Sequence, residues 1–282
     1  MTLTPGRISD LIAELYIKAN RELPAGVITA LEAAARAETC RPAREAMRVM
    51  IENAELAAPG PLPICQDTGA AVVFCEWGGG VTLSSGTLQQ AVDAGVARAC
   101  REGFMRASMV SDPLRRENTG DNTPAVIHVT VSEGERAGFT VMPKGFGSEN
   151  MTALRMFTPS DGADEIIEFI TSAISAAGAN PCPPVIVGVG LGGTAEQAVL
   201  LAKRALLRAP SERHEDAFYA GIERRALERV NALGIGAQGF GGAATALGVN
   251  ILTAPTHIAG LPCAVAPGCW VTRHASGSIT CP

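Results

Sequence analysis

Apolar side chains recur at helical spacing from the start of the chain: Ile8, Leu11, Ile12 and Leu15, then Val27, Ile28 and Leu31, with Pro24 between the two sets. A stripe of this period marks a helix with one buried face, and proline ends a helix by removing an amide donor. Two helices are therefore expected between Arg7 and Glu38. Ala46, Met47, Met50, Ile51 and Leu56 continue the period over Arg41 to Ala58, until Pro59-Gly60 stops it. Residues from about 1 to 58 read as a helical scaffold. The period then changes. Ala70 to Trp77 is an apolar run of strand length, and Thr87 to Arg101 carries Ala91, Val92, Gly95, Val96 and Ala99 on one helical face. Ala125 to Ser132 alternates as a strand, with Gly138 to Met142 as its expected hairpin partner. Further helices are expected over Asp164 to Ala176, Thr194 to Leu207 and about Arg213 to Leu233, with strands from Val185 and over Leu261 to Ala266. This order predicts a mixed α/β (α+β) fold, helices surrounding a mixed sheet, as one domain over 1–282 with its body at about 59–282.

One stretch imitates a different fold. Val185 to Gly193 runs from an apolar strand through Gly188, Gly190, Gly192 and Gly193 into a helix opened by Thr194, the form of a dinucleotide-binding turn. That motif needs a second parallel strand soon afterwards, ending in an acid for the ribose. Here Pro210 and another helix follow instead. No Rossmann core is expected, and the glycines are assigned to close packing of strand and helix.

Composition narrows the function classes. The 282 residues are 47% hydrophobic, enough to bury a core, and carry a net charge of -5, which gives no basic field for a nucleic acid backbone. The first ten residues lack a secretory pattern, and no apolar run approaches bilayer length. A cytoplasmic protein with neither nucleic-acid nor membrane partners is the expectation. Eight cysteines, at 40, 65, 75, 100, 182, 263, 269 and 281, include no CxxC pair, which speaks against a zinc ribbon or a dithiol redox site.

The 31 glycines and 18 prolines cluster in loops, and those loops hold the candidate chemistry. Pro61 to Gly69 carries Cys65, Gln66 and Asp67 without a spacer. It is either a metal-dependent acid/base site or a turn in which Asp67 bonds the backbone and Cys65 packs. Phe104 to Pro124 is long, irregular and rich in arginine. Arg106, Arg115 and Arg116 are either carboxylate clamps or a solvated face. Pro143 to Asn150 offers Lys144 with Gly145 and Gly147, whose amides can approach a ligand, unless the glycines only turn the chain into a helix. Cys182 and Cys269 sit in proline- or glycine-framed loops like Cys65, and His257 lies in the Pro255-Thr256-His257 turn. Cys40, Cys75, Cys100 and Cys263 occupy helical or strand-like contexts and read as packed thiols, and Cys281 lies in the tail. Three converging thiolates without a fourth suit an iron–sulfur cubane with one open iron, a Lewis acid for a hydroxyl and a carboxylate.

PICQDTG, NTGDNTPAVIH, PKGFGSEN, NPCPPVIVGVGLGGT, GIGAQGFGG, PTH and PGCWVTRH occur in this order between about residues 8 and 276. On these motifs the chain resembles the class I iron–sulfur fumarate hydratases and the related L-tartrate dehydratases, specifically their alpha subunit or N-terminal half. The resemblance implies a [4Fe-4S] cluster on Cys65, Cys182 and Cys269 and substrate-side roles for Gln66, Asp67, Arg106 and His257. It also implies backbone contacts from the Lys144 to Gly147 loop, with Asp67 and His257 handling protons. It further implies a separate beta subunit, in a heteromer such as alpha-2 beta-2, and reversible hydration of fumarate to malate as the first expectation. L-tartrate dehydratase or a mesaconate-type hydratase is the alternative within the class. A non-enzymatic iron–sulfur sensor or electron carrier is the alternative outside it. Two departures stand out: Phe146 replaces the middle of three glycines, and Trp270-Val271 replaces alanines after the third cysteine.

Overall fold

The computed structural model describes residues 1–280, so Cys281 lies outside the described residues. In chain order the elements are β1 (Thr2–Leu3), α1 (Pro5–Arg21), α2 (Ala25–Ala37), α3 (Arg41–Ala57), β2 (Ala70–Gly78), β3 (Thr82–Leu83) and α4 (Leu88–Glu102). They continue through β4 (Val126–Ser132), β5 (Ala137–Lys144), α5 (Phe146–Glu149), β6 (Ala153–Phe157), α6 (Ala163–Ala177) and β7 (Val185–Gly192). The last are α7 (Ala195–Ala205), α8 (Ala217–Asn231), β8 (Ala246–Ala254), β9 (Leu261–Gly268) and β10 (Ala275–Ile279). This is the mixed α/β fold expected. Its elements divide into two compact units. The first is Met1–Leu23, Asn53–Phe146 and Arg273–Pro282, and the second is Pro24–Glu52 and Gly147–Thr272. The front-end helices are shared between them.

The first unit is a four-stranded sheet in the order β10-β5-β2-β4 under α1 and α4. Thr87 starts α4 with a reciprocal cap: its Oγ1 accepts from the Gln90 amide at 3.2 Å, and its own amide donates to Gln90 Oε1 at 3.1 Å. The predicted face Ala91, Val92, Gly95, Val96 and Ala99 is buried. Ile8, Ile12, Leu15 and Tyr16 of α1 pack with it over Val73, Cys75, Phe139 and Val141.

The expected hairpin of β4 with β5 does not form. β2 lies between them, parallel to β4 and antiparallel to β5. β2 is apolar on both faces and takes the centre, whereas β4 is mostly exposed and takes an edge. The link from β4 to β5 crosses the end of β2, where the amides of Gly78, Gly79 and Gly80 donate to the carbonyls of Arg136, Ser132 and Gly134. A β-carbon on Gly78 would stand 2.5 Å from the Gly134 carbonyl oxygen, so the glycine run is the crossing itself.

The second unit is a sheet in the order β6-β9-β7-β8 covered on both faces. Cys263 and Val265 of β9 point into a cluster with α6 and α8, while Ala264 and Ala266 meet Ala198 and Ala202 of α7. β7 shows the same alternation. Val187 and Val189 join the first cluster, and a β-carbon on Gly188 or Gly190 would collide with the Ala202 or Ala198 carbonyl of α7. Gly188 and Gly190 of the nucleotide-like stretch therefore let a helix lie close on the sheet, as the sequence reading assigned them, whereas a β-carbon on Gly192 would meet the Ala254 backbone of β8.

Candidate active site

In the first unit the Cys65–Gly69 loop is tied at its entry by Ile64. The Ile64 amide donates to the Asn20 carbonyl at 2.8 Å, and its carbonyl accepts from Asn53 Nδ2 at 2.9 Å. Cys65 is half-buried with Sγ 3.5 Å from Gln66 Oε1, and Gln66 is exposed. Asp67 uses both carboxylate oxygens on amides: Oδ1 accepts from Gly69 at 3.0 Å and Oδ2 from Phe146 at 2.9 Å. The first of these bonds is the backbone turn weighed in the sequence. The second joins the loop to the Lys144–Phe146 segment. Gly69 adopts φ +72° with its Cα against the Lys144 backbone, and a β-carbon on Gly145 would stand 3.0 Å from Asp67 Oδ2. Lys144 ends β5 and is buried.

Arg106 reaches this loop through its backbone. Thr68 Oγ1 donates to the Arg106 carbonyl at 3.1 Å and Asn122 Nδ2 at 2.8 Å, while Asn122 Oδ1 accepts from the Ser108 and Met109 amides. The buried Asn122 thus folds the long loop around Arg106. The Arg106 side chain is exposed, available to an anion. Cys65, Gln66, Asp67, Arg106, Lys144 and Gly145 therefore form one neighbourhood.

In the second unit, Cys182 and Cys269 lie on adjacent loops, because the Trp270 amide donates to the Cys182 carbonyl at 3.2 Å. Cys182 is exposed and held at φ +53°, a left-handed conformation that a non-glycine residue rarely adopts. Pro183 fixes the far side by accepting from the Gln238 amide at 2.8 Å. Cys269 is half-buried, its carbonyl taking Thr272 Oγ1 at 2.7 Å. Gly147 approaches the Asn180 carbonyl two residues before Cys182. His257 is exposed on a turn pinned to the end of β7, where Gly193 donates to Pro255 and accepts from Thr256 Oγ1. His257 Nδ1 accepts from the Ala259 amide at 3.1 Å, so the neutral ring presents Nε2–H outward.

The thiols sort by surroundings. Burial pushes the Cys75 and Cys263 thiols up to about 12, and raises that of Cys100 as well, with Asp121 adding to the effect there. Such thiols stay protonated. Cys65, Cys182 and Cys269 form no disulfide and are reached by solvent, Cys182 exposed and the other two half-buried, in constrained loops, the setting in which a thiolate can bind a soft metal. Among the described residues no three His, Cys, Asp or Glu side chains converge as ligands of a single ion. An iron–sulfur cubane takes each thiolate on a different iron, so its donors need no common point, and the three thiols fit it chemically.

Sequence reasoning missed Glu38, which has no motif around it. This carboxylate is 2% exposed and accepts from the amides of Cys40, Ala243 and Ala244, anchoring the glycine loop that ends at Gly242. Burial alone would raise its pKa. The backbone donors outweigh burial and hold it below the ordinary value of 4.5. A depressed folded-state value means that stability from Glu38 is present above about pH 4.5 and is lost as the pH falls through the folded value. Unfolding midpoints of the parent and Glu38→Gln are therefore expected to differ at pH 7 and converge toward pH 3.

The profile of the fumarate hydratase (Fumerase) family matches residues 9–278. The chain belongs to this family. Among relatives of this fumarate hydratase family chain, a protein of Methanocaldococcus jannaschii named provisionally as L(+)-tartrate dehydratase subunit alpha is 42% identical over 275 residues, covering 95% of this chain and 96% of its own. The L(+)-tartrate dehydratase subunit alpha of Escherichia coli strain UTI89 is 31% identical, and that of strain K12 is 30% identical, each over 96% of this chain and 90% of its own. The two departures from the family pattern have local explanations. Trp270 packs against the cluster of Leu31, Ala43, Met47 and Met50, and Val271 is buried. Phe146 is 48% exposed, and the contact to Asp67 comes from its amide, which any residue but proline would supply.

Proposed function

We infer that this chain is the alpha subunit of an iron–sulfur hydro-lyase that dehydrates a small hydroxylated dicarboxylate, L-tartrate ahead of malate. The reaction class is supported by one pattern: solvent-reachable thiols in constrained loops that also carry acid/base groups, Cys65 with the Asp67 carboxylate in the first unit, and Cys182 and Cys269 with the His257 imidazole in the second. For the substrate, support comes from near full-length relatives named for L(+)-tartrate, which favours the alternative drawn from the sequence over fumarate hydration. Cys65, Cys182 and Cys269 would hold the cluster, whose open iron would supply Lewis-acid polarisation of a hydroxyl group.

The chain's own groups do the rest. The Arg106 fork takes a substrate carboxylate, and Gln66 hydrogen-bonds beside it. Asp67 has one oxygen lone pair per donor already occupied, and the remaining lone pairs accept a proton or hydrogen bond in one fixed direction. His257 enters as a donor at Nε2. The amide-lined Lys144 to Gly147 segment adds backbone contacts. Loss of water from a dihydroxy-dicarboxylate gives an enol that becomes a 2-oxo acid, which is simple to assay.

The chain co-produced with its beta partner is expected to turn over L-tartrate with a kcat/KM at least about tenfold above that for fumarate or mesaconate, because a site built to bond a hydroxyl rejects analogues lacking it. The chain alone is expected to be inactive. A preference for fumarate would return the reading to fumarate hydratase, and full activity without a partner would remove the subunit assignment.

A further inference from the structure

Beneath the Cys65–Gly69 loop lie three buried polar side chains to which the reaction assigns no task. Tyr16 and Asn20 stand one turn apart on α1 with no exposure, and Arg273, where the chain re-enters the first unit, is 2% exposed. Arg273 Nη2 donates to the Asp67 carbonyl at 2.7 Å and to Asn20 Oδ1 at 3.0 Å. The Tyr16 hydroxyl lies 3.2 Å from the Thr68 carbonyl oxygen and 2.8 Å from that of Gly69. Asn20 Nδ2 closes the group by donating to the Tyr16 carbonyl at 3.1 Å. Three consecutive peptide carbonyls, at 67, 68 and 69, thus face donors from one buried group.

Burying a guanidinium, an amide and a phenol costs free energy that an apolar filling would not. Such groups can instead specify a conformation, because an alternative loop path would leave each of them unsatisfied. The donors suit that role. Arginine keeps its charge and its planar fork, and burial raises the Tyr16 pKa against the opposing charge of Arg273, so the phenol remains a donor. On the other side of the peptide planes, Asp67 Oδ1 and Oδ2 hold the Gly69 and Phe146 amides. The carboxylate is therefore oriented from its own backbone.

We propose that Tyr16, Asn20 and Arg273 are positioning residues that fix the Asp67 carboxylate by holding the carbonyls of residues 67 to 69. The part that concerns turnover rests on the hydro-lyase reading of Asp67; the part that concerns the loop does not.

Amide hydrogen exchange of the full-length chain tests the loop directly. In Arg273→Lys, the Gly69 and Phe146 amides are expected to exchange at least about tenfold faster while those of Val72 to Trp77 keep their protection. Tyr16→Phe, which removes one oxygen from the core, guards against a folding failure of the first variant and should show the same pattern. Unchanged exchange at Gly69 and Phe146 in both variants overturns the proposal, whatever the activity. In the reconstituted pair, kcat is expected to fall about 10- to 100-fold with KM within about twofold, since small misplacements of a reacting group are costly. Looser amides with an unaltered kcat would overturn the positioning role. No turnover in the parent pair would instead remove the hydro-lyase reading and leave the exchange result to decide the loop.

Discussion

Serine at position 65, 182 or 269 is expected to strip the chain of most of its iron and acid-labile sulfide, whereas alanine at Cys100 or Cys263 leaves both in place. Chain purified without oxygen and reconstituted should carry about four irons and four sulfides. The contrast follows from the surroundings of each thiol. Cys263 has no exposure and burial holds its thiol protonated, so removing it costs packing without touching a ligand. Cys182 is exposed at φ +53°, and its loop is fastened on both sides by backbone bonds from Trp270 and Gln238. Serine would preserve that loop and exchange a soft donor for a hard one, which binds iron–sulfur clusters poorly. Iron content indifferent to all three thiols would remove the cluster, and with it the Lewis acid on which the proposed dehydration depends.

Glu223→Ala is expected to destabilise the chain by about 2–4 kcal/mol, the cost of leaving two amides without their acceptor at about 1–3 kcal/mol each. Glu223 has no exposure. Its Oε1 accepts from Arg208 Nη1 at 2.9 Å and from the Ile251 amide at 2.8 Å, and Oε2 accepts from the His214 amide at 2.9 Å. Alanine would leave the Ile251 and His214 amides without this acceptor and take one carboxylate from Arg208, which keeps the Ile251 and Glu212 carbonyls, in the seam between α8, β8 and the segment joining α7 to α8. A fall in Tm on the order of 10 °C follows. Glu223→Gln retains one oxygen acceptor and should lie between. Denaturant unfolding of the three proteins measures this, and a loss below about 1 kcal/mol for alanine would show that the network contributes little.

Helix positions were legible because their signal is local. The stripe of Ile8, Ile12 and Leu15 and the Thr87–Gln90 cap need no distant partner to be read. Strand pairing depends on partners far away in sequence. The alternation in Val126–Ser132 gave the strand but not its neighbour, because the apolar Ala70–Gly78 run claims the centre of the sheet. β10, with the sequence Ala-Ser-Gly-Ser-Ile, has no strand propensity to notice. It is a strand through its antiparallel pairing with β5, and there Gly277 lies so close under α1 that a β-carbon would stand 2.9 Å from Leu11. β6 escaped as well, since Leu154 and Met156 are exposed and break the expected pattern. At the site, the loop residues were visible as motifs. Tyr16, Asn20 and Glu38 were not, because each is an ordinary residue on or beside an amphipathic helix until the chain folds over it.

The division of the chain carries a consequence for the order in which it is made. Every strand of the second sheet lies within Ala153–Gly268 and so precedes Arg273 in the chain. The first sheet cannot finish until Ala275–Ile279 pairs with a strand synthesised more than a hundred residues earlier. Until then the edge of β5 waits open, and so does the seat that Arg273 will take beside Asp67. The interior piece of this protein can complete its sheet first, and the loop carrying Asp67 is locked only once Arg273 and β10 are in place.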